Sequence, residues 1–337
     1  MDPLSHAAFG FTLGGLARSP RLGRSAPALA ALGALLPDID AVVMPTGWDR
    51  YLVVHEIGTH SLCGALVCAL GAAWLIRLSK SQFPLSTVFL ALSLGALSHV
   101  ALDVLSGATI RLLWPLADRR FSEALVAMAD PWLAGVLIGC VVAQHLVRRE
   151  HRTRVARVGI LVVTMMLIAK AVLLGRALQL YHAEVGRDGV RAYLPAVEWG
   201  SLTTWHVRDR TGDEVRNWQV DARAATTRLL LRVATDQDAP NAESAKALGT
   251  VRNFLRAHDF VFALTWVGPD STQVLTSDVR YCWNPLSPGA ASPAPGTPYR
   301  PTLAPVACDL WVGGSLDTAG APAGQVVWLG TWVQRRR

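Results

Sequence analysis

The chain has 337 residues, of which 51% are hydrophobic, and its mean hydropathy is +0.31. This composition is too apolar for an ordinary soluble protein, and the length is sufficient for two domains. The net charge of +7 is uneven, because residues 1–180 hold 16 Lys and Arg against 10 Asp and Glu, whereas residues 181–337 hold 16 against 15. A basic excess confined to the apolar half indicates charges that orient the chain beside a bilayer, and no nucleic-acid partner is expected.

Six apolar segments lie in the first half of the chain, at residues 4–17, 26–44, 61–78, 83–105, 131–147 and 158–180. Several have the roughly 17 to 25 residues that a helix needs to cross a hydrocarbon core of about 30 Å. Asp2 and Pro3 suit an N-cap and a first helical position, so they predict where the first helix begins. We therefore predict an α-helical polytopic membrane domain over residues 1–180.

The basic residues predict how these segments are oriented. Five arginines lie in the short connection at residues 148–157, and the positive-inside rule assigns such a connection to the cytoplasm. Alternating crossings then place ten basic residues inside and four outside. The same alternation places the N-terminus and residues 181–337 on the non-cytoplasmic side.

The second half of the chain predicts a smaller β-rich (α+β) domain over residues 181–337. A glycine-containing turn at 210–213 predicts a β-hairpin, and further strands are expected at 260–267, 273–279 and 326–333. A helical pattern covers residues 242–257. Seven prolines among Ser, Ala and Gly predict an extended loop at about 285–305.

The five cysteines divide between the two halves. Cys63, Cys68 and Cys140 lie in apolar segments, where cysteine usually behaves as a buried small hydrophobe. Cys282 and Cys308 lie in the β-rich half, and they could form a disulfide in an oxidising compartment.

The first third of the chain contains seven His and Asp residues among its most hydrophobic segments: His6, Asp38, Asp40, His55, His60, His99 and Asp103. An ionisable group at a bilayer centre costs roughly 2.5 to 3.5 kcal/mol on insertion scales, so such groups usually mark function. Imidazole and carboxylate together are hard-to-borderline metal ligands, and mixed sites of this kind commonly activate water for hydrolysis. The alternation of crossings brings all seven to one membrane boundary, which predicts a single site.

Two of the motifs have simpler explanations when each is taken alone. His99 and Asp103 are four residues apart on a predicted helix, so they can bind a common ion or merely hydrogen-bond to one another. Asp38 and Asp40 follow Pro37, which is typical of a solvated turn at a helix end.

The remaining histidines need a loop to bring them inward. His55 and His60 are five residues apart and do not align on one helix, but a loop followed by a helix start at about Thr59 would allow both to face the site. His6 alone would be an ordinary polar residue near a terminus. Independent explanations become hard to sustain when all seven residues meet at one membrane face.

Four motifs resemble the successive signatures of the bacterial inner-membrane metal-dependent hydrolases, also described as LexA-binding, inner-membrane-associated hydrolases. They are residues 1–7, residues 36–40, Tyr51 with residues 55–61, and His99-x-x-x-Asp103. The resemblance extends to residues 277–281, where many members carry a similar Asp-x-Arg-Tyr. It implies a polytopic inner-membrane protein with a divalent metal site, carried here by the seven His and Asp residues.

One residue departs from the family pattern. Glu56 stands where the family usually has arginine. Glu56 could serve as a ligand or a general base, or it could be a solvent-facing loop residue. The order of the candidate ligands is also similar, more distantly, to that of zinc-dependent phospholipase C and the P1-type nucleases, which hydrolyse phosphoesters.

These observations predict a metal-dependent hydrolase at the membrane surface, with zinc as the expected metal and membrane lipids as the expected partners. The substrate would be a phospholipid or another envelope phosphoester, and water would be the nucleophile, with a general base among Asp38, Asp40 and Glu56. Two alternatives remain open. A transporter would use the same residues as an ion pathway, and a non-catalytic scaffold would bind a partner through its β-rich domain.

Overall fold

The computed structural model describes residues 1–17, 22–23, 25–46, 51, 54–55, 57–79, 82–186, 190–212, 214–234, 240–258, 260–267, 271–283, 307–317 and 320–333. The chain divides into two compact units. The helical unit comprises Met1–Arg176 and Ala196–Trp205, and the sheet unit comprises Ala177–Pro195 and His206–Arg337.

The first part of the chain is helical. Its α-helices are α1 (Pro3–Gly14), α2 (Ser25–Gly33), α3 (Leu62–Leu78), α4 (Leu85–Leu105), α5 (Pro131–Leu146) and α6 (Arg152–Val185). Two 3-10 helices, Pro37–Thr46 and Arg149–His151, follow α2 and α5. The predicted start of α1 is confirmed, because the Asp2 side chain accepts a hydrogen bond from Ser5 N at 2.8 Å and proline begins the helix.

In the described part of the chain, two helical stretches are long and apolar enough to cross a membrane, Leu85–Leu105 and Arg149–Val185. A third crossing results if Ser25–Gly33 and Pro37–Thr46, which are bent by 40°, form one span. The apolar segments at 61–78 and 131–147 form helices of 17 and 16 residues, and α1 has 12 residues. The structure thus supports a helical region with two or three candidate spans, fewer than the six expected from the sequence.

Small residues allow the helices around the site to pack closely. A Cβ atom on Gly33 of α2 would lie 2.1 Å from Leu92 O of α4, and one on Gly95 of α4 would lie 1.9 Å from Ala30 O of α2. Because neither glycine has a side chain, the two backbones approach directly, as is common between helices in membranes. This contact holds the end of α2 against the part of α4 that carries His99.

Alanines form the buried face of α3, at positions 65, 69 and 73. They recur every four residues and therefore lie on one side of the helix. Cys63 is exposed, and Cys68 and Cys140 are half-buried. The expectation that these three cysteines are fully buried was wrong, and for Cys63 and Cys68 the reason is that only the alanine face of α3 packs against other helices.

The sheet unit is built from two antiparallel sheets and two short helices. One sheet has the order β1 (Val190–Val197), β2 (Thr204–Thr211), β3 (Glu214–Asp221), β4 (Thr226–Ala234). The second contains β5 (Val261–Val267), β6 (Thr272–Asp278), β7 (Cys282–Trp283), β8 (Ala307–Leu316) and β9 (Pro322–Val333), in the order β5-β6-β8-β7, with β9 also pairing with β8. The helices are α7 (Pro240–Ala245) and α8 (Gly249–Ala257).

Several predictions for this half are confirmed. The turn between β2 and β3 contains Gly212 at φ +55, β5 and β6 pair antiparallel, and β9 includes the expected final strand. The helical pattern at 242–257 is divided between α7 and α8. Strands β1, β4, β7 and β8 are not among the strands predicted from the sequence. The proline-rich stretch at 285–305 lies outside the described residues.

Two cysteines of the second sheet occupy adjacent strands. Cys282 is disulfide-bonded, and the backbone register places Cys308 of β8 directly opposite it. The bond formed by Cys282 suits an oxidising compartment.

The Asp-x-Arg-Tyr motif has a structural role at the end of β6. Asp278 is buried, caps the 3-10 helix Val279–Tyr281 by accepting from Arg280 N at 2.8 Å, and forms an ion pair with Arg280 Nε at 3.2 Å. Burial alone would raise the pKa of Asp278, but the positive charges of Arg280, His258 and Arg208 outweigh it and hold the pKa below its ordinary value.

Candidate metal centre

The structure brings the seven predicted His and Asp side chains into one cluster within the helical unit. They come from α1, from the 3-10 helix Pro37–Thr46, from the segment before α3 and from α4: His6, Asp38, Asp40, His55, His60, His99 and Asp103. Three overlapping groups of donor atoms could each hold a metal ion, and within each group the atoms lie within 4.8 Å of one another. The groups are His6-His99-Asp103, Asp38-His60-His99 and Asp40-His55-His60.

Four donor atoms converge most closely, namely Oδ1 of Asp38, Nε2 of His60, Nε2 of His99 and Oδ2 of Asp103. His99 Nε2 lies 3.1 Å from His60 Nε2, 3.0 Å from Asp103 Oδ2 and 3.7 Å from Asp38 Oδ1. His60 Nε2 lies 3.5 Å from Asp103 Oδ2 and 3.6 Å from Asp38 Oδ1. Tetrahedral zinc with bonds of about 2.0 to 2.1 Å separates its donors by about 3.3 to 3.4 Å. The five separations measured among these four atoms, 3.0 to 3.7 Å, are close to that spacing.

The backbone fixes which nitrogen of His99 is available. His99 Nδ1 lies 2.7 Å from the Ala34 carbonyl oxygen, which only accepts hydrogen bonds, so the proton is on Nδ1. The Nε2 atom then carries no proton, and its lone pair is directed at His60 and Asp103. A metal-ligating histidine is usually held in this way by a hydrogen bond from its other nitrogen.

His6 lies behind Asp103 and His99. Its Nε2 lies 3.1 Å from Asp103 Oδ1, and its ring stacks on that of His99 with centroids 3.7 Å apart. The Met1 amino group also hydrogen-bonds Asp103 Oδ1. One oxygen of Asp103 is therefore occupied by these partners, while the other faces the converging donors.

Asp40 lies on the opposite side of the cluster. Its carboxylate contacts the Nδ1 atoms of both His55 and His60, at 3.1 and 3.2 Å, and accepts a hydrogen bond from the Thr59 hydroxyl at 2.9 Å. Asp40 thus contacts the side of His60 that faces away from the converging donors.

Two of the seven side chains are partly exposed and five are buried. The side chains of Asp38 and His55 are 28% and 29% exposed, whereas those of the other five residues are at most 3% exposed. Leu4, Ile39 and Val42, which belong to the same elements as His6, Asp38 and Asp40, are exposed apolar residues. The opening beside Asp38 and His55 is therefore polar, and the segments that form it also carry exposed apolar side chains.

The electrostatics of the cluster favour a cation. Burial alone would lower the pKa of His60, but hydrogen bonds with Asp38 and Asp40 and the nearby charge of Asp103 raise it to about 9. Among the described residues, the buried atoms Asp38 Oδ2 and His6 Nδ1 have no hydrogen-bond partner. Three carboxylates, four imidazoles and two unsatisfied polar atoms form a donor set that suits a divalent metal such as zinc.

Sequence reasoning located these side chains but missed their supports. The Thr59 hydroxyl and the Ala34 carbonyl orient His60 and His99, and neither has a distinctive sequence signal beyond the adjacency of Thr59 to His60. The helix predicted to start at about Thr59 begins at Leu62, with the Ser61 hydroxyl as its cap on Gly64 N. Glu56 lies outside the described residues.

The helices and the cluster together define a class, a protein whose helical region has candidate membrane-crossing segments and a His/Asp cluster that could hold a metal ion. The model of the YdjM inner membrane protein family matches residues 1–177, more than half of the chain, and the chain belongs to this family. No curated protein and no solved structure matches it.

Proposed function

We propose that the chain is a metal-dependent hydrolase of the bacterial inner membrane that cleaves a phosphoester of a lipid or of another envelope molecule. The observation that carries this proposal is the spacing of four donor atoms, 3.0 to 3.7 Å in the pairs measured, with the Asp38 side chain partly exposed. Three buried ligands, with the partly exposed Asp38 carboxylate beside them, resemble the arrangement of catalytic zinc sites, in which three protein ligands leave the fourth position to water.

When bound, a divalent metal would acidify a water molecule and polarise a phosphoryl oxygen. His60, His99 and Asp103 would hold it from the buried side, and Asp38 would lie beside the fourth position, where water binds. Asp38 Oδ2 has no partner among the described residues, so it can accept the proton that water loses. We therefore place the general base at Asp38.

A membrane lipid is the substrate class that suits the surroundings of the site. Ile39 and Val42 lie on the same 3-10 helix as Asp38 and are exposed, so an acyl chain could contact them while a phosphate headgroup reaches the polar opening. A membrane-facing opening also explains why a polar cluster lies among apolar helices.

The orientation is part of the proposal. We place the cluster and the sheet unit on the non-cytoplasmic side of a multi-pass protein, with the arginine-rich connection at 148–157 in the cytoplasm. The disulfide of Cys282 supports this placement of the sheet unit, because disulfides persist in the bacterial periplasm and not in the cytosol.

A compact cluster favours a hydrolase over an ion pathway. A transporter would distribute its ionisable residues through the depth of the membrane, whereas the donors of each group here lie within 4.8 Å of one another. A non-catalytic scaffold would not need such a donor set.

The test is hydrolysis by the purified full chain in detergent. Release of phosphorylated headgroups would be measured from a panel of phospholipids and from generic phosphodiesters, with and without chelator. We expect activity that chelator removes and zinc restores, and a loss of roughly two or more orders of magnitude in Asp38→Asn.

Ser61→Ala is the control for a covalent serine mechanism. Ser61 caps α3 and also donates to Gly58 O at 2.9 Å, so its hydroxyl has a structural use. The variant should retain most activity. Turnover that survives chelation and is abolished by Ser61→Ala would contradict the proposal.

A further inference from the structure

Asp40 is a buried carboxylate of the cluster with three hydrogen-bonding partners. It is 4% exposed, and three groups direct hydrogen-bond donors at it. Thr59 Oγ1 donates to Oδ2 at 2.9 Å, His55 Nδ1 lies 3.1 Å from both oxygens, and His60 Nδ1 lies 3.2 Å from Oδ2. An ionised carboxylate only accepts hydrogen bonds, so these contacts use it as an acceptor for three protons.

The same contacts determine where the two histidines carry their protons. A nitrogen that faces a carboxylate oxygen at hydrogen-bonding distance carries a proton unless a metal ion lies between the two atoms. His55 and His60 are therefore both protonated on Nδ1. The Thr59 hydroxyl gives its own proton to Asp40, so at 3.2 Å from His60 Nδ1 it can only accept, which reinforces the same assignment.

The two histidines differ in what their other nitrogen can reach. His60 Nε2 faces His99 and Asp103 in the buried centre of the cluster. His55 is partly exposed at the opening, and its ring packs edge-on against that of His60 with centroids 4.2 Å apart. One carboxylate thus supports two imidazoles, one directed at the metal position and one beside the opening.

We propose that Asp40 is neither a metal ligand nor the general base but a positioning residue, which fixes the Nδ1 protons of His55 and His60. His60 then presents Nε2 to the metal, and His55 is a hydrogen-bonding group at the opening, not a ligand. This assignment rests on the proposed metal centre. It follows the general pattern in which a carboxylate orients a metal-bound histidine from behind.

Zinc binding to the detergent-purified full chain distinguishes a positioning residue from a metal ligand. It would be measured by competition with a chromogenic chelator. Asp40→Asn should still bind one equivalent at saturation, with an affinity about 10- to 100-fold weaker, as is typical when an outer-shell partner is lost. Asp40→Glu should recover part of that loss, and His55→Asn should weaken zinc binding far less than His60→Asn. Asp118→Asn is the matched control, because Asp118 is exposed and pairs with Arg111 outside the cluster.

Nitrogen-15 NMR of protein with labelled histidines shows which ring nitrogen of each histidine carries a proton. In the zinc-loaded wild type, His55 and His60 should both be protonated on Nδ1, and Asp40→Asn should give a mixed tautomer for at least one of them. A role confined to folding would leave the tautomers of the folded variant unchanged.

Two results would overturn the assignment. In the first, Asp40→Asn loses as much stoichiometric zinc as His99→Ala does. In the second, Asp40→Asn has the zinc affinity and the histidine tautomers of the wild type. If the wild type binds no zinc, the proposed metal centre fails. The His55 tautomer in the metal-free protein at pH 8 then tests the role of Asp40 separately. The proton should be on Nδ1 in the wild type, and Asp40→Asn should show a mixture of the two tautomers.

Discussion

The Nε2 atoms of His60 and His99 lie 3.1 Å apart, although the two residues are separated by 39 positions in the chain. Because His99 carries its proton on Nδ1, which faces Ala34 O, its Nε2 is a bare lone pair. Two bare nitrogens at this distance would repel one another, so either a proton on His60 Nε2 or a metal ion must lie between them. The proton and the metal ion would compete for one position.

Removal of a central ligand should abolish tight metal binding. His99→Ala and Asp103→Asn each remove one of the four converging donors, so we expect zinc affinity to fall by more than the roughly 10- to 100-fold typical of an outer-shell change. Metal content after purification without chelators, together with the thermal unfolding midpoint with and without zinc, provides the measurement.

His151→Ala is the matched control for His99→Ala. His151 is half exposed, lies in the connection before α6 and is not part of the cluster. Its zinc content and its stabilisation by zinc should equal those of the wild type. A wild-type protein with far less than one equivalent of any transition metal would refute the prediction.

A methyl group at a helix contact should disturb the site from a distance. Gly33→Ala places a Cβ atom 2.1 Å from Leu92 O, so α2 and α4 must separate. Since the Ala34 carbonyl orients His99, we expect weaker zinc binding as well as a loss of stability of about 1 to 3 kcal/mol, the usual cost of overpacking.

Gly71→Ala is the comparison for this change, because a Cβ atom there meets nothing within 4 Å. The zinc affinity and the unfolding midpoint of this variant should each equal or slightly exceed the wild-type value. Equal behaviour of the two variants would show that the α2–α4 contact does not control the site.

The proposed orientation can be tested by cysteine labelling in sealed cells. After replacement of the free cysteines at 63, 68 and 140, a membrane-impermeant reagent should label Arg223→Cys in the sheet unit but not Glu150→Cys in the connection before α6. Both positions are exposed, so access to the reagent depends on membrane side. Labelling of Glu150→Cys alone would reverse the topology.

Asp278 should make the sheet unit sensitive to acid. Its pKa is lower in the folded chain than in the unfolded one, so its stabilising contribution is present above the unfolded pKa of about 3.9 and is lost as the pH falls through the folded pKa. Asp278→Asn should lower the unfolding midpoint by several degrees at pH 7, because it removes the charge that the buried ion pair requires.

The comparison should be made by thermal unfolding of the full chain between pH 7 and pH 3. The difference between Asp278→Asn and the wild type should shrink below about pH 4, where the carboxylate of the unfolded wild-type chain begins to be protonated. A difference that stays constant over this range would mean that Asp278 acts through shape and not through charge.

The sequence by itself determined that a helical region precedes a region of β-strands, and it identified the side chains that cluster. Apolar length predicts helices, the spacing of His99 and Asp103 places both on one helix face, and the ionisable residues are conspicuous because so few others occur among the apolar segments. Such patterns depend on the periodicity of a single helix or strand, so they can be recognised in a run of consecutive residues.

Only the tertiary structure decided which carboxylates of the cluster face the converging histidine nitrogens and which one supports the histidines from behind. That Asp40 faces the Nδ1 atoms of two histidines, while Asp38 and Asp103 face Nε2 atoms, depends on how separate elements pack. The number of candidate spans also depended on the bend between α2 and the 3-10 helix and on helix length. Contacts between residues distant in the chain are set by close packing of several elements at once, and no single segment of sequence specifies them.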